Sequence, residues 1–110
     1  MTDNTTGATK HDNNKARMDL LSPIGMARLS EVLRFGASGG KYEDHNWRKG
    51  LQWSRVIGAT LRHLFSFMGG EDKDPESGLS HVAHAMCNLM FLSEFEETHK
   101  ELDDRYKGSK

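Results

Sequence analysis

Residues 53–97 read WSRVIGATLRHLFSFMGGEDKDPESGLSHVAHAMCNLMFLSEFEE, two apolar-periodic stretches joined by a polar loop. From Trp53 to Met68 the side chains Ile57, Leu61, Leu64 and Met68 recur at i, i+4, i+7 and i+11. That spacing predicts one helix with these four residues as its buried stripe, ended by Gly69 and Gly70. The loop that follows packs four acids, Glu71, Asp72, Asp74 and Glu76, and one lysine into a turn-forming stretch. Ser80 is placed to cap a third helix from about His81 to Glu97, because a serine hydroxyl accepts from the orphan N–H groups of a first turn. On that helix Val82, Ala85, Met86, Leu89, Met90 and Leu92 form the expected apolar side. His81, His84 and Asn88 fall at i, i+3 and i+7 on a separate polar stripe.

Working outward toward the N-terminus, LLSPIGMARLSEVLRFGASGG (residues 20–40) predicts a first helix over 23–36. Ser22 is its N-cap, Pro23 suits the first turn and Gly36, Gly39 and Gly40 end it. Met26, Leu29, Val32 and Leu33 follow helical spacing, with Arg28, Glu31 and Arg34 toward the edges. The expected architecture is all-α, a small bundle of three to four helices completed by oligomerisation. Residues 1–14 are almost free of apolar side chains and predict a disordered tail. Residues 15–100 form the single domain, and 101–110 a charged tail.

Composition narrows the function classes. A chain of 110 residues has room for one compact domain, and with 35% hydrophobic residues its core is modest, which favours a homo-oligomer. A net charge of -1 gives no basic footprint for long nucleic acid. The N-terminus has neither a signal-peptide apolar region nor anything near a membrane span, so a cytoplasmic protein is expected, in the host cytoplasm if phage-encoded. The single cysteine, Cys87, sits in an apolar run where a buried, inert thiol is expected. No phosphate-binding glycine loop, HExxH pair, CxxC pair or GxSxG elbow is present. Hydrolysis, if this chain performs it, is expected to use metal and water.

Two constellations carry chemistry. His81 and His84, one turn apart, have the spacing by which a helix donates metal ligands. His63 on the preceding helix and the acids of the intervening loop are positioned by the chain to complete such a site, and Glu31 is a further carboxylate from the first helix. The second constellation is basic and aromatic: Lys41, Tyr42, His45, Asn46, Trp47, Arg48 and Lys49, followed by Arg55 and Arg62. Arginine forks and lysine charges suit phosphate, an aromatic face suits a base, and an amide can read a base edge. The competing reading has Trp47 and Trp53 anchoring the loop to the core with Arg48 and Lys49 in solvent.

The segments KARMDLLSP, LRFGASGGKYEDHNWRKGLQWSR and LRHLFSFMGGEDKDPESGLSHVAHAMCNLMFL together resemble the phage dATP/dGTP diphosphohydrolase family over about residues 15–95. The resemblance implies an all-α relative of the MazG-like nucleoside triphosphate pyrophosphohydrolases, which release a monophosphate and pyrophosphate with a divalent metal. Those enzymes carry an ExxE pair on one helix and ExxD on the next. Here the corresponding helices offer Arg62 with His63, then His81 with His84. Imidazoles favour Mn, Co, Fe, Ni or Zn over Mg, so the metal differs, or loop acids replace the missing carboxylates, or catalysis is lost.

The expected function is metal-dependent hydrolysis of dATP or dGTP, with Mg, Mn or Co as the ion. His81, His84 and Asp74 are the expected metal ligands, and His63, Glu71 and Asp72 the catalytic groups. Lys41, Tyr42, Asn46, Trp47, Arg48, Lys49, Arg55, Arg62 and Asn88 are the expected substrate contacts. The alternative is a non-catalytic phage protein that sequesters a host signalling nucleotide, which needs the basic and aromatic pocket but no metal.

Overall fold

A computed structural model describes residues 7–11, 13–38 and 42–108. Among them are three α-helices, α1 (Pro23–Ser38), α2 (Trp53–Met68) and α3 (His81–Thr98), and no strand. Short 3₁₀ turns span Met18–Leu20, Asn46–Lys49 and Lys100–Leu102. Both serine caps form: Ser22 Oγ accepts from the Gly25 N–H at 2.9 Å, and Ser80 Oγ accepts from Val82 and Ala83 at 3.1 and 3.3 Å. No helix among the described residues is long and apolar enough to cross a membrane.

α3 packs against both α1 and α2, and this explains its pattern. Ala83, Ala85 and Cys87 are all buried, although Ala83 and Ala85 lie roughly 200° apart around the helix. Small residues there let two neighbours approach from two sides, so α3 has no single apolar face. Val82 and Leu89, assigned to its apolar side from the sequence, are 37% and 51% exposed. His81, assigned to a separate polar stripe, is instead 3% exposed.

α2 is also rotated from the expectation. Its buried residues are Trp53, Val56 and Thr60, while Leu61, Leu64 and Met68 of the predicted stripe are 45%, 40% and 75% exposed. The periodicity is real, but α3 covers the adjacent strip of the cylinder. Among the described residues, Leu61, Leu64, Phe65 and Met68 are left as an exposed apolar surface.

The core centres on Phe95, which is fully buried among Trp53, Val56, Trp47, Phe91, Leu92 and Leu102. Burial of a ring of that size stabilises by roughly 1.5–3 kcal/mol before any cavity effect. Leu102, beyond the expected limit at residue 100, packs against this core. The chain after α3 turns back along α2, where His99 O accepts from Trp53 Nε1 at 3.1 Å. Asp104 then caps the start of α2, accepting from Ser54 N at 2.8 Å and Ser54 Oγ at 2.6 Å. A carboxylate at that helix end also suits the positive pole of its dipole. The tail predicted over 1–14 lies partly outside the described residues, and residues 7–11, 13 and 14 are exposed.

Gly50 lets the segment before α2 meet this returning strap. Its φ of 98° is unsuited to L side chains, and an added Cβ would stand 2.6 Å from Leu102 Cδ1.

Candidate functional site

The loop between α2 and α3 is closed on itself by its backbone. Asp74 N donates to Leu79 O at 2.8 Å, Gly78 N to Asp74 O at 2.7 Å, and His81 N to Asp72 O at 3.0 Å. Asp74 Oδ1 accepts from Glu76 N at 3.1 Å, which leaves Oδ2 facing His84 Nε2 at 3.5 Å. A carboxylate in a mobile loop would be a poor ligand, whereas this one is held by the turn that carries it.

His63 comes from α2, Asp74 from the loop and His84 from α3, each half-buried, and each offers one ligand atom within 4.8 Å of the others. The rings of His63 and His84 lie parallel, with centroids 4.5 Å apart and planes at 4°. Burial, first, pulls the pKa of both imidazoles below its usual value. A positive charge on His84 lowers that of His63 further, and Asp74 opposes the shift in both. The two rings are therefore neutral near pH 7, with a lone pair on each, beside one carboxylate. That donor set has the chemistry of a divalent-cation site, and imidazole nitrogen suits Mn, Co, Fe, Ni or Zn better than Mg.

Ser77, which the sequence did not single out, belongs to this cluster. Its Oγ lies 2.7 Å from His84 Nε2 and accepts from Leu79 N at 3.1 Å. Which of the two donates is set by the His84 tautomer, since a hydroxyl can accept twice as well as donate. The one available signal was its place three residues after Asp74 in the same turn.

His81 and Glu71 stand beside the three converging groups. His81 Nδ1 lies 2.9 Å from His63 Nδ1, and His81 Nε2 lies 2.7 Å from Glu71 Oε1. Both nitrogens of His81 are thus engaged, and His63 retains Nε2 alone.

The other residues read from the sequence are elsewhere. Asp72 is exposed and lines, with Glu31, Arg28, Lys73, Phe67 and Leu79, a groove of about 530 Å³ between α1 and the loop. Glu31 faces this groove instead of joining the histidines. Trp47 stacks on Phe91 with centroids 4.5 Å apart and planes at 17°. Arg48 lies over the Trp47 ring at 4.5 Å, holds Glu94 through two contacts of 3.1 and 2.9 Å and donates to His45 Nδ1 at 2.9 Å. Lys49 pairs with Glu43 at 3.3 Å. Trp47, Arg48 and Lys49 thus anchor the segment before α2, through Phe91, Glu94 and Glu43.

Asn46 opens the 3₁₀ turn with its backbone N–H on Glu43 O, and Tyr42 is 53% exposed with its N–H on Gly36 O. Asn88 is half-buried one turn beyond His84. Arg55 and Arg62 are exposed on α2, and Lys41 lies outside the described residues. Cys87 is buried, which pushes its thiol up to about 11 and leaves it inert, as read from the sequence.

Residues 5–105 match the family described as dATP/dGTP diphosphohydrolase, N-terminal. A dATP/dGTP diphosphohydrolase of Salmonella phage PMBT28 is 35% identical over 96 residues, which cover 87% of this chain and 32% of that protein. The chain thus spans about a third of the length of this curated relative. No solved structure matches.

Proposed function

This chain belongs to the dATP/dGTP diphosphohydrolase family, whose N-terminal region it matches, and from that premise we propose that it hydrolyses a purine deoxynucleoside triphosphate to the monophosphate and pyrophosphate. The observation that carries the reading is the convergence of His63, Asp74 and His84, a donor set for one divalent cation, in a chain related to a protein of that name. When bound, such an ion lowers the pKa of water and offsets charge on the phosphates.

The chain's own residues divide the remaining work. His63 and His84 present neutral nitrogen to the ion, and Asp74 brings the negative charge that favours a cation over a proton. Ser77 orients His84 through its hydroxyl. Arg62 adjoins His63 in sequence, and its charge already acts on that imidazole, so it is the cation suited to hold phosphate beside the site. The groove between α1 and the loop is of a volume typical of small-molecule sites, and Phe67, Arg28 and Lys73 give it one aromatic face and two cations for a nucleotide. Mn or Co fits two imidazoles and a carboxylate better than Mg. The exposed apolar stripe of α2 supports assembly with a second copy, and a deoxynucleotide substrate supports action in the cytoplasm.

The test is product analysis of dATP, dGTP, dCTP and ATP with metal-stripped protein, to which Mg²⁺, Mn²⁺, Co²⁺ or Zn²⁺ is returned singly. Monophosphate and pyrophosphate from a purine deoxynucleotide are expected, and loss of turnover in His84→Ala by at least a hundredfold. Intact nucleotide in every tube, with nucleotide-induced stabilisation retained in His84→Ala, would replace the enzyme with a sequestering protein.

A further inference from the structure

Histidine–histidine contacts through like nitrogens carry information about hydrogens. At 2.9 Å, the two Nδ1 atoms of His63 and His81 need one N–H between them, so one ring donates and the other accepts. The other nitrogen of His81 lies 2.7 Å from Glu71 Oε1, and a carboxylate oxygen only accepts. His81 Nε2 must therefore carry a hydrogen.

Two assignments remain. Either His81 carries both hydrogens and is an imidazolium, or it is neutral with a lone pair on Nδ1. Its side chain is 4% exposed, whereas that of Glu71, the carboxylate paired with its ring, is 50% exposed. A charged ring so deeply buried would rest on a half-solvated counter-charge and face a second imidazole on its other side. The neutral ring satisfies both hydrogen bonds without that cost. Its lone pair then takes the hydrogen from His63 Nδ1, and the lone pair of His63 is left on Nε2.

We propose that Glu71 and His81 act as a positioning relay, Glu71 Oε1···H–Nε2 His81 Nδ1···H–Nδ1 His63, which fixes His63 as the Nδ1–H tautomer with its Nε2 lone pair turned to the site shared with Asp74 and His84. The inference rests on the cation site above for its purpose and on hydrogen-bond geometry alone for its content. An imidazole ligand is oriented by the bond its other nitrogen makes, and here that bond runs through a second imidazole to a carboxylate. Neither relay residue touches the reacting atoms. The relay also explains why a histidine at the first position of α3 is buried, since it stands between two partners supplied by the preceding helix and loop.

The relay is read directly by long-range ¹H–¹⁵N correlation of the imidazole nitrogens in full-length, metal-free protein near pH 8, where free neutral histidine favours the opposite, Nε2–H form. His63 is expected as Nδ1–H and His81 as Nε2–H. In Glu71→Ala, His63 is expected to shift toward Nε2–H, and affinity for Mn²⁺ or Co²⁺ to fall about tenfold to a hundredfold. Unchanged His99 signals in the variant establish that it is folded. If the variant does not fold, the wild-type tautomers decide alone. His63 resting as Nε2–H in the wild type, or failing to respond in folded Glu71→Ala, would overturn the relay. The expected tautomers in a protein that binds neither ion would uphold the relay and remove the metal reading instead, so the two failures are distinct.

Discussion

Replacing Trp47 with alanine separates its two readings, a stacking platform for a base and a wall of the core. In the structure Trp47 is half-buried, stacks on Phe91 at 4.5 Å and meets Phe95 at 6.1 Å. Truncation of a fully buried aromatic costs about 3–5 kcal/mol, and for a half-buried ring roughly 2–3 kcal/mol is expected. With a urea m-value of about 1.5 kcal/mol/M, that is a fall in midpoint of roughly 1.3–2 M. The other tryptophan, Trp53, sits in the same cluster, so its fluorescence follows the unfolding of the relevant core. A double-mutant cycle with Phe91→Ala should return a coupling of about 0.5–1.5 kcal/mol for the stacked pair. Nucleotide turnover per folded molecule should be unchanged. An unchanged urea midpoint accompanied by a raised KM for dATP or dGTP would refute the packing argument and restore Trp47 as a substrate contact.

Other outcomes follow from the same geometry. Gly50→Ala should lower stability measurably in urea, since φ of 98° and a Cβ 2.6 Å from Leu102 both oppose it; a wild-type midpoint would mean the strap is not packed there. Stability should be greatest near neutral pH. His99 donates from both ring nitrogens, to Glu101 and to the Arg48 carbonyl, and these bonds raise its pKa, so its contribution is complete below the unfolded value near 6.5 and lost as pH rises through the folded one. His63 and His84, lowered by burial, act in the opposite sense, favouring the fold above about 6.5 and losing that advantage as pH falls toward their folded values. Urea midpoints from pH 5 to 9 should trace both limbs, and His99→Asn should flatten only the alkaline one. Finally, the apolar stripe on α2 should drive self-association: light scattering is expected to find an oligomer that Leu64→Lys dissociates, and a wild-type monomer at high concentration would dispose of that role.

The helices were legible because their limits are set by local chemistry. Ser22, Ser80 and the Gly69–Gly70 pair act within a turn, so α1 and α3 begin, and α2 ends, where the sequence says. Which side each helix buries was not legible, because it depends on how many neighbours a helix has. α3 has two and needs small residues on opposite sides, a pattern that blurs periodicity. The site was legible in its residue types. His63, Asp74 and His84 were all named, but sequence spacing paired His81 with His84 and could not show that His81 turns both nitrogens aside. Ser77 gave only its place in the Asp74 turn and Asp104 gave no signal, since a hydroxyl in a turn and an acid in a polar tail look like solvent-facing groups until a partner from another element meets them. The packing of the basic and aromatic run was not legible for the complementary reason: its composition suits phosphate, and the contacts of Trp47, Arg48 and Lys49 with Phe91, Glu94 and Glu43 are set by the folded chain.

The return of the chain after α3 also has a consequence for the order of assembly. The contacts that gather the histidines join residues 7 to 21 positions apart, whereas those of the strap, Trp53 to His99, Ser54 to Asp104 and Arg48 to His99, join residues 46 to 51 apart. Closing the longer loops costs more chain entropy and is the slower event. The α2–α3 hairpin can therefore collect its imidazoles while the strap is still free. A cation bound at that stage would act on a folding intermediate as well as on the finished protein, and its presence during refolding should matter more than its later addition.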